Sequence, residues 1–125
     1  MQTTPLPKVS VLIPAYNEEK YILRTLAALV KQDYPNFEII ITDNASTDLT
    51  AAIIQKFIYD QPSPGIPTKL VYESRQGTNY AREHARQAAT CSIIAQLDAD
   101  CIPPENWILK GVCALYKNKK NVAVT

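Results

Sequence analysis

A single histidine and three cysteines, with no C-x-x-C spacing among them, leave this chain without the ligands of a structural zinc site. Cys91, Cys101 and Cys113 make no disulfide framework either, and read as reduced thiols of an intracellular protein. No apolar run approaches the ~20 residues of a membrane span, and no basic-then-apolar leader opens the sequence. The expected location is therefore the cytoplasm, or the cytoplasmic face of a membrane in a longer protein. Charge of one sign is also lacking: 13 Lys and Arg against 12 Asp and Glu give a net +1. Neither nucleic acid nor an anionic bilayer is an expected partner. Repeats and low-complexity segments are absent. His84 lies in a helix-like stretch and is expected on a helix surface rather than as a ligand or a base.

What is present fits one globular domain of 125 residues, with 46% hydrophobic and 20% charged content. Residues 1–7, polar and punctuated by Pro5 and Pro7, read as a loose arm, and 8–125 as the domain. Val9 to Ile13 is a β-branched strand stopped by Pro14. Apolar residues at Ile22, Leu26 and Leu29 predict a helix over 18–31. Phe37 to Thr42 predicts a second strand, then a capped helix over 49–59, a short strand over 70–72 and a helix over 78–90. Ser92 to Leu97 predicts a fourth strand, and Pro103-Pro104 starts a helix running to about Lys117. Asn121 to Thr125 begins a fifth strand. This alternation predicts an α/β fold: a mostly parallel sheet flanked by helices on both faces.

Ligands of such sheets bind at the carboxyl ends of the strands, and the polar clusters fall there. They are Tyr16-Asn17-Glu18, Asp43-Asn44, Arg75-Gln76-Gly77 and the pair Asp98 and Asp100. Side chains two apart on a strand share a face, so Asp98 and Asp100 are expected to aim two carboxylates at one point. Two such groups repel unless a cation or a proton sits between them. Mg²⁺ typically bridges one or two carboxylates and the phosphates of a substrate.

Ile13-Pro14-Ala15-Tyr16-Asn17-Glu18-Glu19, Asp43 to Asp48, Ala81-Arg82 and Leu97 to Asp100 resemble, in order and spacing, the family 2 glycosyltransferases. The resemblance covers about residues 8 to 125. It implies a GT-A fold, a Rossmann-like nucleotide-binding half that is incomplete at its C-terminus. It implies binding of a nucleoside-diphosphate sugar, a UDP-sugar first, with Mg²⁺ or Mn²⁺, for inverting transfer to an acceptor hydroxyl in cell-wall or polysaccharide synthesis. Carried over by position, Pro14, Tyr16 and Glu18 line the base pocket, and Asp43 accepts a hydrogen bond from the base. Asp98 contacts ribose and metal, Asp100 is the principal metal ligand, and Arg82 is a basic residue near the nucleotide. Structural roles stand beside these: Tyr16 as a strand-end aromatic, Glu18 as a first-turn helix charge, Asp43 as an Asx-turn residue, and Asp48 as a helix start.

Departures from the family pattern include Asn44 for an acidic residue, Ala45 for a glycine, Glu83 for an asparagine and Ala85 for a glycine. Ala45 predicts a turn without positive φ. The family's catalytic base falls beyond residue 125, so the chain alone is not expected to transfer sugar. A non-catalytic nucleotide- and metal-binding module is the alternative; a phosphotransferase with an aspartate nucleophile wants its acidic pair after the first strand with a downstream lysine, an arrangement the sequence does not show. Because the chain stops at Thr125, the strand ending near Asp98 is expected to present an unpaired edge, and a homo-oligomer through that edge follows.

Overall fold

A computed structural model describes residues 6–62 and 65–117. Four strands, β1 (Val9–Ala15), β2 (Phe37–Asp43), β3 (Thr68–Tyr72) and β4 (Ile93–Gln96), form one parallel sheet in the order β3-β2-β1-β4. The helices α1 (Ile22–Leu29), α2 (Thr50–Asp60), α3 (Thr78–Ala88) and α4 (Trp107–Lys117) alternate with them. The α/β reading of the sequence is borne out. The expected strand at Asn121 to Thr125 lies outside the described residues.

Both faces of the sheet are covered, which is why β1 and β2 read as nearly continuous apolar runs. Val9, Val11, Ile13, Ile39 and Ile41 point to one face and pack with Ile22, Leu26 and Leu29 of α1, Ile54 of α2, and Ile108 and Val112 of α4. Leu12 and Ile40 point to the other, against Ala85 of α3. Alanine suits that position: Ala81 and Ala85 are fully buried, and α3 lies close on β1 and β2.

Pro14 does not stop β1; the strand continues to Ala15. The reason is register. Leu12 accepts the Leu97 N–H on the β4 side, whereas Ala15 accepts the Asn44 N–H on the β2 side. Even-numbered residues of β1 therefore turn their backbone groups toward β4. Since β4 pairs only with Val9–Leu12, the donor that Pro14 lacks falls beyond the end of that ladder.

α1 is shorter than its apolar pattern suggests. A tight turn precedes it, in which the Glu18 carbonyl accepts the N–H groups of both Tyr21 and Ile22, while the Glu18 N–H donates to Thr50 Oγ1 at the start of α2 and the Glu19 N–H to Asp48 Oδ2. α4 begins at Trp107 rather than at the proline pair. Gln32 organises its start, accepting the Ile108 N–H and donating to the Pro104 carbonyl. The inner end of the expected loose arm is tied down, with Tyr34 Oη donating to the Pro7 carbonyl and Asn36 Nδ2 to that of Leu6.

Candidate functional site

Strand order reverses between β1 and β4, since β1 is followed in sequence by its neighbour on one side and β4 lies on the other. Open α/β sheets form their ligand crevice at that point, beyond the strands' carboxyl ends. The loop after β1 carries Tyr16, Asn17 and Glu18 there, and the segment after β4 carries Asp98 and Asp100.

The acidic pair does not converge by strand alternation. β4 ends at Gln96, and Asp98 to Cys101 is a turn closed by the Cys101 N–H donating to the Asp98 carbonyl at 3.1 Å. Two backbone anchors fix this turn: Leu97 N–H donates to the Leu12 carbonyl, and the buried Ala99 carbonyl accepts the Thr25 hydroxyl. The turn brings ligand atoms of Asp98, Asp100 and Cys101 within 4.8 Å of one another, all three exposed.

Glu18 faces the same cluster. Burial first, then the charges of Asp100, Asp48 and Asp98, push its carboxyl above the ordinary value. Among the described residues no ion pair includes Glu18, Asp48, Asp98 or Asp100. Negative charge thus accumulates at the crevice. The donor set fits a divalent ion: two exposed carboxylates from one turn, neither paired with a basic side chain among the described residues.

The loops after β1 and β2 are zipped together. Asn17, at φ 51°, accepts the Thr47 N–H through Oδ1 and donates its own N–H to Ser46 Oγ. Asp48 Oδ1 accepts the Thr50 N–H and hydroxyl, which makes it the helix-start residue expected. Asp43 is buried at 5% exposure and accepts the Ser46 N–H through Oδ1, the Asx-type turn weighed above. Ala45 departs from expectation, with φ at 59°. Bonds on either side hold it there, at the Asp43 carboxylate and at Asn44.

Asn44 explains part of that restraint. Its carboxamide donates to the carbonyls of Glu73 and Arg75 and accepts the Gly77 N–H, joining the β2 end to the loop after β3. Gly77 has φ 139°, and a Cβ there would meet the Tyr80 ring at 3.3 Å. In that loop the Arg75 guanidinium clamps the Glu73 carboxylate, whose pKa falls to about 2 through hydrogen bonds from the Arg75 side chain and N–H. Arg75 also stacks on Tyr80 at 4.5 Å, and half-buried His84 sits 3.3 Å from Glu73. Tyr16 is 47% exposed at the rim, Pro14 half-buried beneath it in sequence, and Arg82 exposed on α3. The structure thus gathers Glu18, Asp98 and Asp100, and sets Asp43 at the neighbouring strand end.

The model of the family described as Glycosyl transferase family 2 matches residues 10–125. Glycosyltransferase AglE of Haloferax volcanii is 36% identical over 115 residues, 90% of this chain and 37% of that protein. A crystal structure of Staphylococcus aureus TarS 1-349 with UDP superposes with a TM-score of 0.77 at 28% identity, over 90% of this chain and 33% of TarS. Mannosyltransferase PcManGT from Pyrobaculum calidifontis, in complex with GDP-Man and Mn²⁺, gives 0.75 at 35% identity, over 81% and 30%. The chain spans about a third of the length of these relatives.

Proposed function

Because the chain belongs to glycosyl transferase family 2, we propose that it forms the part of a glycosyltransferase that binds a nucleoside-diphosphate sugar together with a divalent ion. The observation that carries this reading is the cluster of Asp98 and Asp100 opposite Glu18 at the crevice where the strand order reverses. Asp100 and Asp98 would hold the ion against the donor's diphosphate, where it supplies Lewis-acid stabilisation of the charge that develops on the leaving group. Tyr16 offers its exposed ring to the base. The second carboxylate oxygen of Asp43 accepts an N–H from the edge of a uracil, a charge-assisted bond. Pro14 gives the pocket a rigid wall, and Arg82 contributes positive charge on α3.

A uracil donor is supported by TarS, whose structures hold UDP and UDP-GlcNAc; the GDP-Man of the mannosyltransferase makes guanine the competing base. Relatives named for poly(ribitol-phosphate) and teichuronic acid support a surface polymer as acceptor. Calorimetry with UDP and with GDP, each with and without Mn²⁺, tests the reading. The expected result is Mn²⁺-dependent binding that favours UDP and that Asp100→Ala abolishes. Binding that is indifferent to the metal would remove the role given to Asp98 and Asp100.

A further inference from the structure

We propose that Asn44 is a positioning residue for the base of the donor nucleotide. Its buried carboxamide clamps the loop after β3 onto the turn after β2, and so aims the Asp43 carboxylate. This role rests on the base contact proposed for Asp43 and sets how selective that contact is.

Asp43 can read an N–H only if its carboxylate is held at a fixed angle. Oδ1 is committed to the Ser46 N–H at 3.1 Å, which leaves Oδ2 for the base and makes its direction depend on where Ser46 lies. Between the two residues Ala45 stands at φ 59°, a conformation that an L residue leaves unless its neighbours hold it. On the β1 side, the Ser46 hydroxyl accepts the Asn17 N–H, and the Ala15 carbonyl accepts that of Asn44. On the β3 side the hold is the Asn44 side chain. It is 4% exposed; Nδ2 donates to the carbonyls of Glu73 at 3.0 Å and Arg75 at 2.8 Å, and Oδ1 accepts the Gly77 N–H at 3.0 Å. Gln76 of the same loop donates through Nε2 to the Asn44 carbonyl at 2.8 Å.

Asn44→Asp keeps the shape and removes the donor. The new carboxylate can still accept the Gly77 N–H, but its second oxygen faces the carbonyl oxygens of Glu73 and Arg75. Buried acceptors left facing one another are costly, so the loop after β3 draws away and releases the turn that carries Ala45. A hydrogen bond weakens steeply as its angle closes. The loss therefore falls on the base and spares the diphosphate, whose proposed holders Asp98 and Asp100 belong to a separate turn.

Calorimetry in Mn²⁺ compares UDP with UDP methylated at the uracil N–H, the donor that Asp43 would accept. Wild-type chain is expected to prefer UDP by at least ~10-fold. Asn44→Asp should bring that ratio close to one by losing UDP affinity, with binding of the methylated nucleotide unchanged. Gln76→Leu removes only the outer bond and should narrow the ratio in the same direction, which keeps a test in hand if Asn44→Asp does not fold. A purely structural defect weakens both nucleotides alike, so parallel losses overturn the positioning role. So does a UDP preference that survives in folded Asn44→Asp, or in Gln76→Leu where the first variant does not fold; Mn²⁺-dependent UDP binding by wild type then leaves the nucleotide reading standing. Wild-type chain that binds both nucleotides equally refutes the Asp43 contact, and the role of Asn44 with it. Wild-type chain with no Mn²⁺-dependent UDP binding refutes the nucleotide reading as well.

Discussion

The Thr25 hydroxyl on α1 donates a 2.8 Å hydrogen bond to the backbone carbonyl of Ala99, and both residues are buried. The bond ties the helix after β1 to the turn after β4, so the two sides of the crevice are fixed to each other through one side chain. A buried carbonyl left without its donor costs about 1–3 kcal/mol. Thr25→Val keeps the shape and removes the donor. We expect a loss of that size in urea unfolding, with weaker Mn²⁺-dependent nucleotide binding because the turn is released. Unchanged stability would show that water or a backbone shift replaces the bond.

The sheet and its helices were legible because burial on both faces demands apolar strands, and helical periodicity survives in α1 and α4. Boundaries were lost where side chains from distant segments take over local hydrogen bonds. Thr50 and Asp48 take up the Glu18 and Glu19 N–H ahead of α1, and Gln32 sets the start of α4. Pro14 read as a terminator because the sequence does not reveal which neighbour a strand residue faces. The rim was legible as clusters of polar residues at strand ends, whereas its geometry was not. Asp98 and Asp100 meet through a turn, and Cys101 joins them by the same turn. Asn44 read as a departure from a family pattern; the structure gives it a positive use, since only an amide donates to two carbonyls and accepts an N–H at once.

Glu38 should make stability depend on acid. Its buried carboxylate accepts the Ser10 hydroxyl and both the N–H and hydroxyl of Thr90. Burial pushes this carboxyl up, but those hydrogen bonds, helped by the charge of Lys8, outweigh it and hold the group below its ordinary value of 4.5. A folded-state value below the unfolded one means stability that is present above pH 4.5 and drains away as pH falls through the folded value. Glu38→Gln should cost about 1–2 kcal/mol at neutral pH, from exchanging charged for neutral acceptors. Its denaturation midpoint should then fall less than that of wild type on acidification. Parallel pH profiles for the two proteins would refute the assignment.

Ala45 offers a gain in stability. At φ 59° an L residue is strained, by about 1–2 kcal/mol. Glycine removes that strain but returns roughly 0.4–1 kcal/mol to the unfolded chain as entropy. Ala45→Gly should therefore stabilise the protein by about 0.5–1 kcal/mol, read as a higher urea midpoint. A destabilised variant would mean that the alanine methyl makes contacts worth more than the strain.

The outer edge of β4 should pair with a second copy of this chain. Among the described residues β4 has one strand neighbour, β1. Beside its other edge lies an apolar groove of about 400 Å³, lined by Ile93, Ala95, Trp107, Val112 and Leu115 among others. An open edge next to apolar surface is a template for association, and a two-fold axis would set two such edges antiparallel. Leu97 turns its N–H toward β1, where it meets the Leu12 carbonyl. Residues one position out of phase, Ile94 and Gln96, therefore turn theirs outward. Gln96→Pro removes one outward donor without touching the ladder to β1. Light scattering across a dilution series should show a dimer for wild type and a monomer for Gln96→Pro, with the same circular dichroism. Wild-type chain that stays monomeric at the highest concentration would show that the edge is covered within the single chain.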